Sequence, residues 1–259
     1  EISFLGMMSG VEDYLISKRK EIIIEHKPSA DSLEDLLTFK PRIEKLVLKD
    51  AKLRTFIADA SHRDELVAHV YDTTFEVIQK DRDSLVIIDD SIVRGTTLEK
   101  SILTLLDNLD PKNIVIISSA PQIRFPDCYG IDMSKMKDFV AFRAVLALLF
   151  DEGKEYLLED VLEKCLADKD KVNEVNYVKE LYAPFSYDQI SQKIGEIVKP
   201  KKMKAALEVV FQTVEGLHKA CPDHLGDWYF TGDYPTKGGN KVVNTAFINF
   251  MRGVEVRAY

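Results

Sequence analysis

A basic excess, a long apolar run, paired cysteines and a glycine-rich dinucleotide loop are all missing from this chain, and each absence removes a class of function. Acidic residues outnumber basic ones, 43 to 35, for a formal net charge of −8. A generic nucleic-acid surface would show clustered lysine and arginine, so no nucleic-acid partner is expected. No apolar run approaches the roughly 20 residues that span a bilayer, and no secretory signal is visible, so no membrane partner is expected either. Three cysteines, Cys128, Cys165 and Cys221, form an odd set without metal-like spacing. They fit a reducing cytoplasm better than a disulfide framework. Internal repeats and low-complexity tracts are also missing.

What remains is an ordinary globular composition, 46 % hydrophobic and 30 % charged over 259 residues, enough for one large or two modest domains with ample core. Ile2 to Lys20 reads as a helix with its cations toward the C-terminal end, and Ser32 to Phe39 as a short helix before Pro41. Lys45 to Lys49 and Leu53 to Ala58 are strand candidates, while Asp64 to Gln79 fits either strand or helix. After a strand at Leu85 to Ile88 come a helix over Thr97 to Leu109 and a second buried strand over Asn113 to Ser119, a βαβ unit. Asp138 to Phe150 is a strongly apolar helix. Beyond residue 150 the pattern turns helical, over Glu155 to Ala167, Tyr187 to Val198 and Lys202 to Ala220. Ser186 and Gln189 give the second of these a capping box. The last 38 residues read as loop-rich, with Gly238-Gly239-Asn240 as a turn. The expected division is therefore a sheet-bearing domain over 1–150 and a helical segment with a tail over 151–259.

Residues Leu85 to Glu99 carry the chemistry: L-V-I-I-D-D-S-I-V-R-G-T-T-L-E. A continuous apolar run with the composition of a buried parallel strand ends in two carboxylates, Asp89 and Asp90. A short loop follows with Ser91, Arg94, Gly95, Thr96 and Thr97, and then a helix, with Thr96 and Glu99 at capping-box spacing. Ligands of open α/β sheets sit beyond the carboxyl ends of strands, where helix N-termini present N–H groups. Gly95 lets the backbone approach closely or take a positive φ, and the N–H groups around Gly95 to Thr97 suit an anion nest for a phosphate monoester. Asp89 and Asp90 would repel phosphate. They suit ribose hydroxyls, directly or through Mg²⁺, which prefers one or two carboxylates plus substrate oxygens. The bland alternative is an acidic strand end followed by a turn and a capped helix, with no ligand. The loop is not a Walker A loop, since no lysine follows the glycine, nor is it a G-x-G-x-x-G loop.

The run resembles the phosphoribosylpyrophosphate (PRPP) motif of type I phosphoribosyltransferases, and its D-D-S-I-V-R-G-T-T form resembles that of the amidophosphoribosyltransferases. Three other segments keep that family's order. Arg54-Thr55-Phe56-Ile57 is similar to the run that opens its active-site loop. Ser118 to Pro121 with Arg124 to Met133 is similar to its S-x-P-P-[IV]-x-x-P-x-x-Y-G-I-D segment, and Tyr229 to Thr236 to its F-T-G-x-Y-P. The resemblance implies an α/β fold of the type I phosphoribosyltransferase kind, a parallel sheet flanked by helices. It also implies phosphoribosyl transfer from PRPP to ammonia released from glutamine, giving 5-phosphoribosylamine and pyrophosphate with Mg²⁺, the committed step of purine synthesis. By residue, it implies that Asp89 and Asp90 hold ribose and Mg²⁺, that Ser91, Arg94, Gly95, Thr96 and Thr97 hold the 5′-phosphate, and that Arg54 acts at the catalytic step as its loop closes over pyrophosphate. Purine nucleotides as inhibitors and a homo-oligomer at full length are implied likewise.

The departures from the family are equally specific. Its N-terminal cysteine nucleophile has no counterpart here, and its pyrophosphate loop, a P-[DN]-[ST]-x segment, is expected upstream of Glu1. The expectation is a C-terminal fragment that is N-terminally truncated, with ammonia supplied by a glutaminase domain outside it and activity in question for the piece alone. After Arg54 the basic run of many relatives is replaced by Asp59-Ala60-Ser61-His62-Arg63-Asp64-Glu65, leaving Lys49, Lys52, Arg54 and Arg63 as candidates for pyrophosphate. Only Cys221 stands near where relatives carry iron–sulfur cysteines, so no cluster is expected.

Lesser candidates have weaker claims. His62 and His69 could donate to phosphate or sit solvated. His218 and His224 bracket Cys221 without a fourth zinc ligand. Trp228, Tyr229 and Phe230 form a base platform or pack a tail onto the core. Gly238 to Lys241 cradles a phosphate or simply turns. Arg124 and Asp127 line the site or pair with each other. Two rival functions stand beside the transferase: a non-catalytic regulator sensing PRPP or a nucleotide, and a base-specific phosphoribosyltransferase. The second should carry a base-binding loop, and the Y-G-I-D segment argues against it.

Overall fold

The computed structural model describes residues 2–43, 78–96, 98–128, 133–167, 174–223 and 226–258. The chain forms two compact units, Glu1–Gln79 and Lys80–Tyr259. In the first, α1 (Ile2–His26) runs one and a half turns past the expected end. α2 (Ala30–Thr38) starts at Ser29, whose side chain accepts the Ser32 N–H, the usual relief for an orphan donor of the first turn. The strand candidates at 45–49 and 53–58, and 64–77 of the ambiguous stretch, lie outside the described residues.

The second unit is an α/β layer structure. Strands β1 (Ser84–Asp89), β2 (Asn113–Ser118) and β3 (Ala206–Phe211) form a parallel sheet in that order. The class matches the type I phosphoribosyltransferase expectation. β1 leads through a π-helical turn, Leu98–Ile102, into α3 (Leu103–Asp107), so the helix expected over Thr97 to Leu109 has a widened first turn and ends two residues early. After β2 come a 3₁₀ turn (Met136–Asp138), α4 (Val140–Asp151), α5 (Tyr156–Ala167), α6 (Lys179–Tyr182) and α7 (Tyr187–Val198). The chain ends with α8 (Val214–Ala220), α9 (Trp228–Thr231) and α10 (Lys237–Met251).

Register places Leu85, Ile114 and Leu207 in one row and Ile87, Ile116 and Val209 in the next. Side chains alternate across a strand, so these rows share one face, where α7 packs against β3 and α4 packs against α7. The other face carries Val86 and Val210, which stay 59 % and 39 % exposed. At the helical end of the core, Phe142 is fully buried and meets Phe247 and Phe250 edge-on, with centroids 6.3 and 4.9 Å away.

Two expectations are overturned. The helix expected over Lys202 to Ala220 is β3 followed by α8. Val209, Val210 and Phe211 have the branched and aromatic side chains that suit a pleated, half-buried surface, and Thr213 caps α8 by accepting the Gly216 N–H. The sheet thus draws its third strand from beyond residue 150, where only helices and a tail were expected. Gly238-Gly239-Asn240 is not a turn but the start of α10, capped by Thr236. A Cβ on Gly239 would stand 2.4 Å from the Tyr234 ring, so the glycine admits that ring against the helix.

Candidate functional site

β1 pairs with β2 through Asp89, and at Asp90 the chain leaves the ladder in a bend. Asp89 Oδ1 accepts the Asp90 N–H at 2.9 Å, and Asp90 Oδ1 accepts the Ser91 N–H at 2.9 Å. These local bonds turn the backbone out of the sheet. The segment after β2 braces the bend: Ser119 N–H donates to the Asp89 carbonyl at 2.9 Å and Ala120 N–H to the Asp90 carbonyl at 3.1 Å. Asp89 is half-buried and Asp90 is exposed at the C-terminal edge of the sheet.

Ile92 plugs the loop into the core at 3 % exposure. From there α4 grips the backbone. Val140 N–H donates to the Val93 carbonyl at 2.8 Å, and Arg143 Nη2 donates to the Arg94 carbonyl at 2.6 Å. The Arg94 guanidinium lies 3.6 Å from the Asp138 carboxylate, both partly exposed. Such a pair is worth at most about 1 kcal/mol, so an anionic ligand can compete for it. Gly95 takes φ +70°, the left-handed region that a side chain enters only at a cost. Thr96 is already helical and exposed, and the Gly95 carbonyl accepts the Glu99 N–H at 3.0 Å. The cap position therefore belongs to Gly95 rather than Thr96.

The structure thus brings Asp89, Asp90, Ser91, Arg94, Gly95 and Thr96 into one strand-end loop. Arg54 and Thr97, with Lys49, Lys52, His62, Arg63 and His69, lie outside the described residues, as do Tyr129 to Asp132 of the downstream segment. Arg143 was not singled out from the sequence. It sits in a strongly apolar helix, and only its three-residue offset from Val140 hints that both face the loop.

Arg124 and Asp127 do not seek each other. Both Nε and Nη2 of Arg124 donate to Gln122 Oε1, at 3.0 and 2.7 Å, and its guanidinium lies over the rings of Tyr182 and Tyr187. Burial pulls its pKa down, while the tyrosines push the other way. Asp127 accepts the Tyr229 hydroxyl at 3.1 Å, and the Tyr229 carbonyl accepts the N–H groups of Arg124 and Phe125. Tyr229, at the centre of the aromatic run, therefore packs against the loop after β2. His218 bonds with Asp227 at 2.9 Å, and His224 lies outside the described residues.

Asp89 and Asp90 offer hard carboxylate oxygens at the C-terminal edge of the sheet, a donor set that fits Mg²⁺ completed by ligand oxygens. Among the described residues no cluster of three or more acidic, histidine or cysteine side chains forms a metal cage by itself. No described helix is long and apolar enough to cross a membrane.

No family model matches the chain. Stretches of it are similar to proteins named amidophosphoribosyltransferase. The one from Lachancea kluyveri is 34 % identical over 135 residues, covering 48 % of this chain and 26 % of that protein. The one from Schizosaccharomyces pombe is 38 % identical over 87 residues, 32 % of this chain and 16 % of that protein. The one from Methanocaldococcus jannaschii is 28 % identical over 149 residues, 52 % and 31 % of the two chains. The chain therefore spans less than a third of the length of these relatives. The similarity supports kinship with the amidophosphoribosyltransferases as a distant, partial match.

Proposed function

We propose that this chain carries the PRPP-binding part of an amidophosphoribosyltransferase, which joins ammonia to the ribosyl carbon of PRPP and releases pyrophosphate. One observation carries the reading: a parallel strand breaks at paired carboxylates directly before a glycine loop whose carbonyls are held from behind by α4. In this reading Asp89 and Asp90 hold the ribose hydroxyls. Ser91, Arg94, Gly95, Thr96 and Thr97 hold the 5′-phosphate. Asp89 and Asp90 would also hold Mg²⁺, which supplies neutralising charge for the leaving pyrophosphate.

Displacement at the anomeric carbon passes through an oxocarbenium-like state. Fixing the sugar at both its hydroxyls and its phosphate lowers the entropic part of that barrier. Arg54 and its neighbours would close over pyrophosphate and keep water from the carbon. Ammonia would come from a glutaminase domain elsewhere in a longer, oligomeric cytoplasmic enzyme, with purine nucleotides as inhibitors.

Calorimetric titration with PRPP and Mg²⁺ tests the reading. The chain should release heat that disappears in Asp90→Asn and falls in Thr96→Ala, with both variants folded. Equal heats in all three would remove the loop from the site, and silence in the unaltered chain would overturn the reading.

A further inference from the structure

The Arg94–Gly95 peptide is one rigid unit, and Arg143 holds it by one end. The Arg94 carbonyl accepts from Arg143 Nη2 at 2.6 Å. In a trans peptide the carbonyl and the following N–H point in opposite directions, so a carbonyl fixed toward α4 sends the Gly95 N–H away from it. The preceding peptide is fixed in the same sense, by Val140 N–H on the Val93 carbonyl at 2.8 Å. The Gly95 N–H has no acceptor among the described residues.

Arg143 is committed to this task. Its Nε is buried without a partner among the described residues, an unfavourable position for a cationic donor. A carbonyl bonded to a guanidinium also polarises its own peptide, which strengthens the N–H at the far end as a donor.

Resting on the reading of this loop as a phosphate site, we infer that Arg143 is a positioning residue: through the Arg94 carbonyl it aims the Gly95 N–H at the 5′-phosphate of the ligand. Arg143 does not touch the ligand in this arrangement. It sets the direction of a donor that does.

The test uses the chain as it exists, titrated with ribose 5-phosphate and, separately, with Mg²⁺–pyrophosphate, which does not need the phosphate loop. Arg143→Met should weaken ribose 5-phosphate binding by about tenfold, the order expected for one charge-assisted hydrogen bond, and leave Mg²⁺–pyrophosphate binding unchanged. Arg143→Lys keeps a cationic donor and should recover most of the loss. Equal binding of ribose 5-phosphate by the Met variant and the unaltered chain overturns the inference alone. Loss of both ligands together in the Met and Lys variants also overturns it, since that is what general damage to the fold would do. No binding of ribose 5-phosphate by the unaltered chain overturns the phosphate-site reading, and the inference falls with it.

Discussion

Gly95 and Val198 approach so closely that a Cβ on the glycine would stand 2.7 Å from the valine's Cγ1, and Val140 would meet it at 3.5 Å. The end of α7 therefore seats the loop that follows β1. Gly95→Ala adds a steric clash to an unfavourable φ and should cost about 1–3 kcal/mol of stability. In a Val198→Ala background the same substitution should cost less, with the φ strain remaining. Denaturant unfolding of the four proteins measures that coupling.

Phe142 fastens α4 to α10 through Phe247 and Phe250. Phe142→Ala removes a fully buried ring and two edge-on partners, for an expected loss of about 3–5 kcal/mol. Chemical denaturation with an unchanged dependence on denaturant would show that the loss lies in the folded state.

The capping box that opens α7 is complete. Ser186 Oγ accepts the Gln189 N–H at 3.1 Å, and Gln189 Oε1 accepts the Ser186 N–H at 2.8 Å. Ser186→Ala should lower stability by about 1 kcal/mol, read as a drop in the thermal midpoint. α7 packs on β3, so fraying there would also loosen the third strand.

That box was legible because both members are local and each side chain bonds the other's backbone. β1 and β2 were legible because continuous apolar runs have few other uses. β3 was hidden by its surroundings: a lysine-rich approach over Lys199 to Lys204, and Glu208 and Val210 on an exposed face, blur the contrast that marks a strand. The signal was the branched pair Val209-Val210 followed by Phe211 and the capping Thr213. The start of α10 was misread because paired glycines favour turns. Only the ring of Tyr234, packed against Gly239, explains why a helix needs one there. The loop's chemistry could be read from its residue types, but the grip of Arg143 could not, since it depends on how α4 is placed by tertiary packing.

Alkaline pH should strip stability through the tyrosines. Burial first, then the hydrogen bond to Asp127, pushes the Tyr229 hydroxyl from 10.0 up to about 12, and burial pushes Tyr182 and Tyr234 higher still. A raised value means the folded state holds its proton more tightly. The contribution is intact below pH 10 and is lost as pH rises toward and past 12. Thermal midpoints should fall across that window, and Tyr229→Phe should flatten the first part of the fall.

Amide chemical-shift mapping with ribose 5-phosphate bears most directly on the loop as a sugar-phosphate site. Saturable shifts should centre on Asp90, Ser91, Gly95 and Thr96, with Gly95 moving downfield as its N–H gains a phosphate acceptor. Saturable shifts elsewhere with the loop unmoved, or no shifts at all, would contradict that reading.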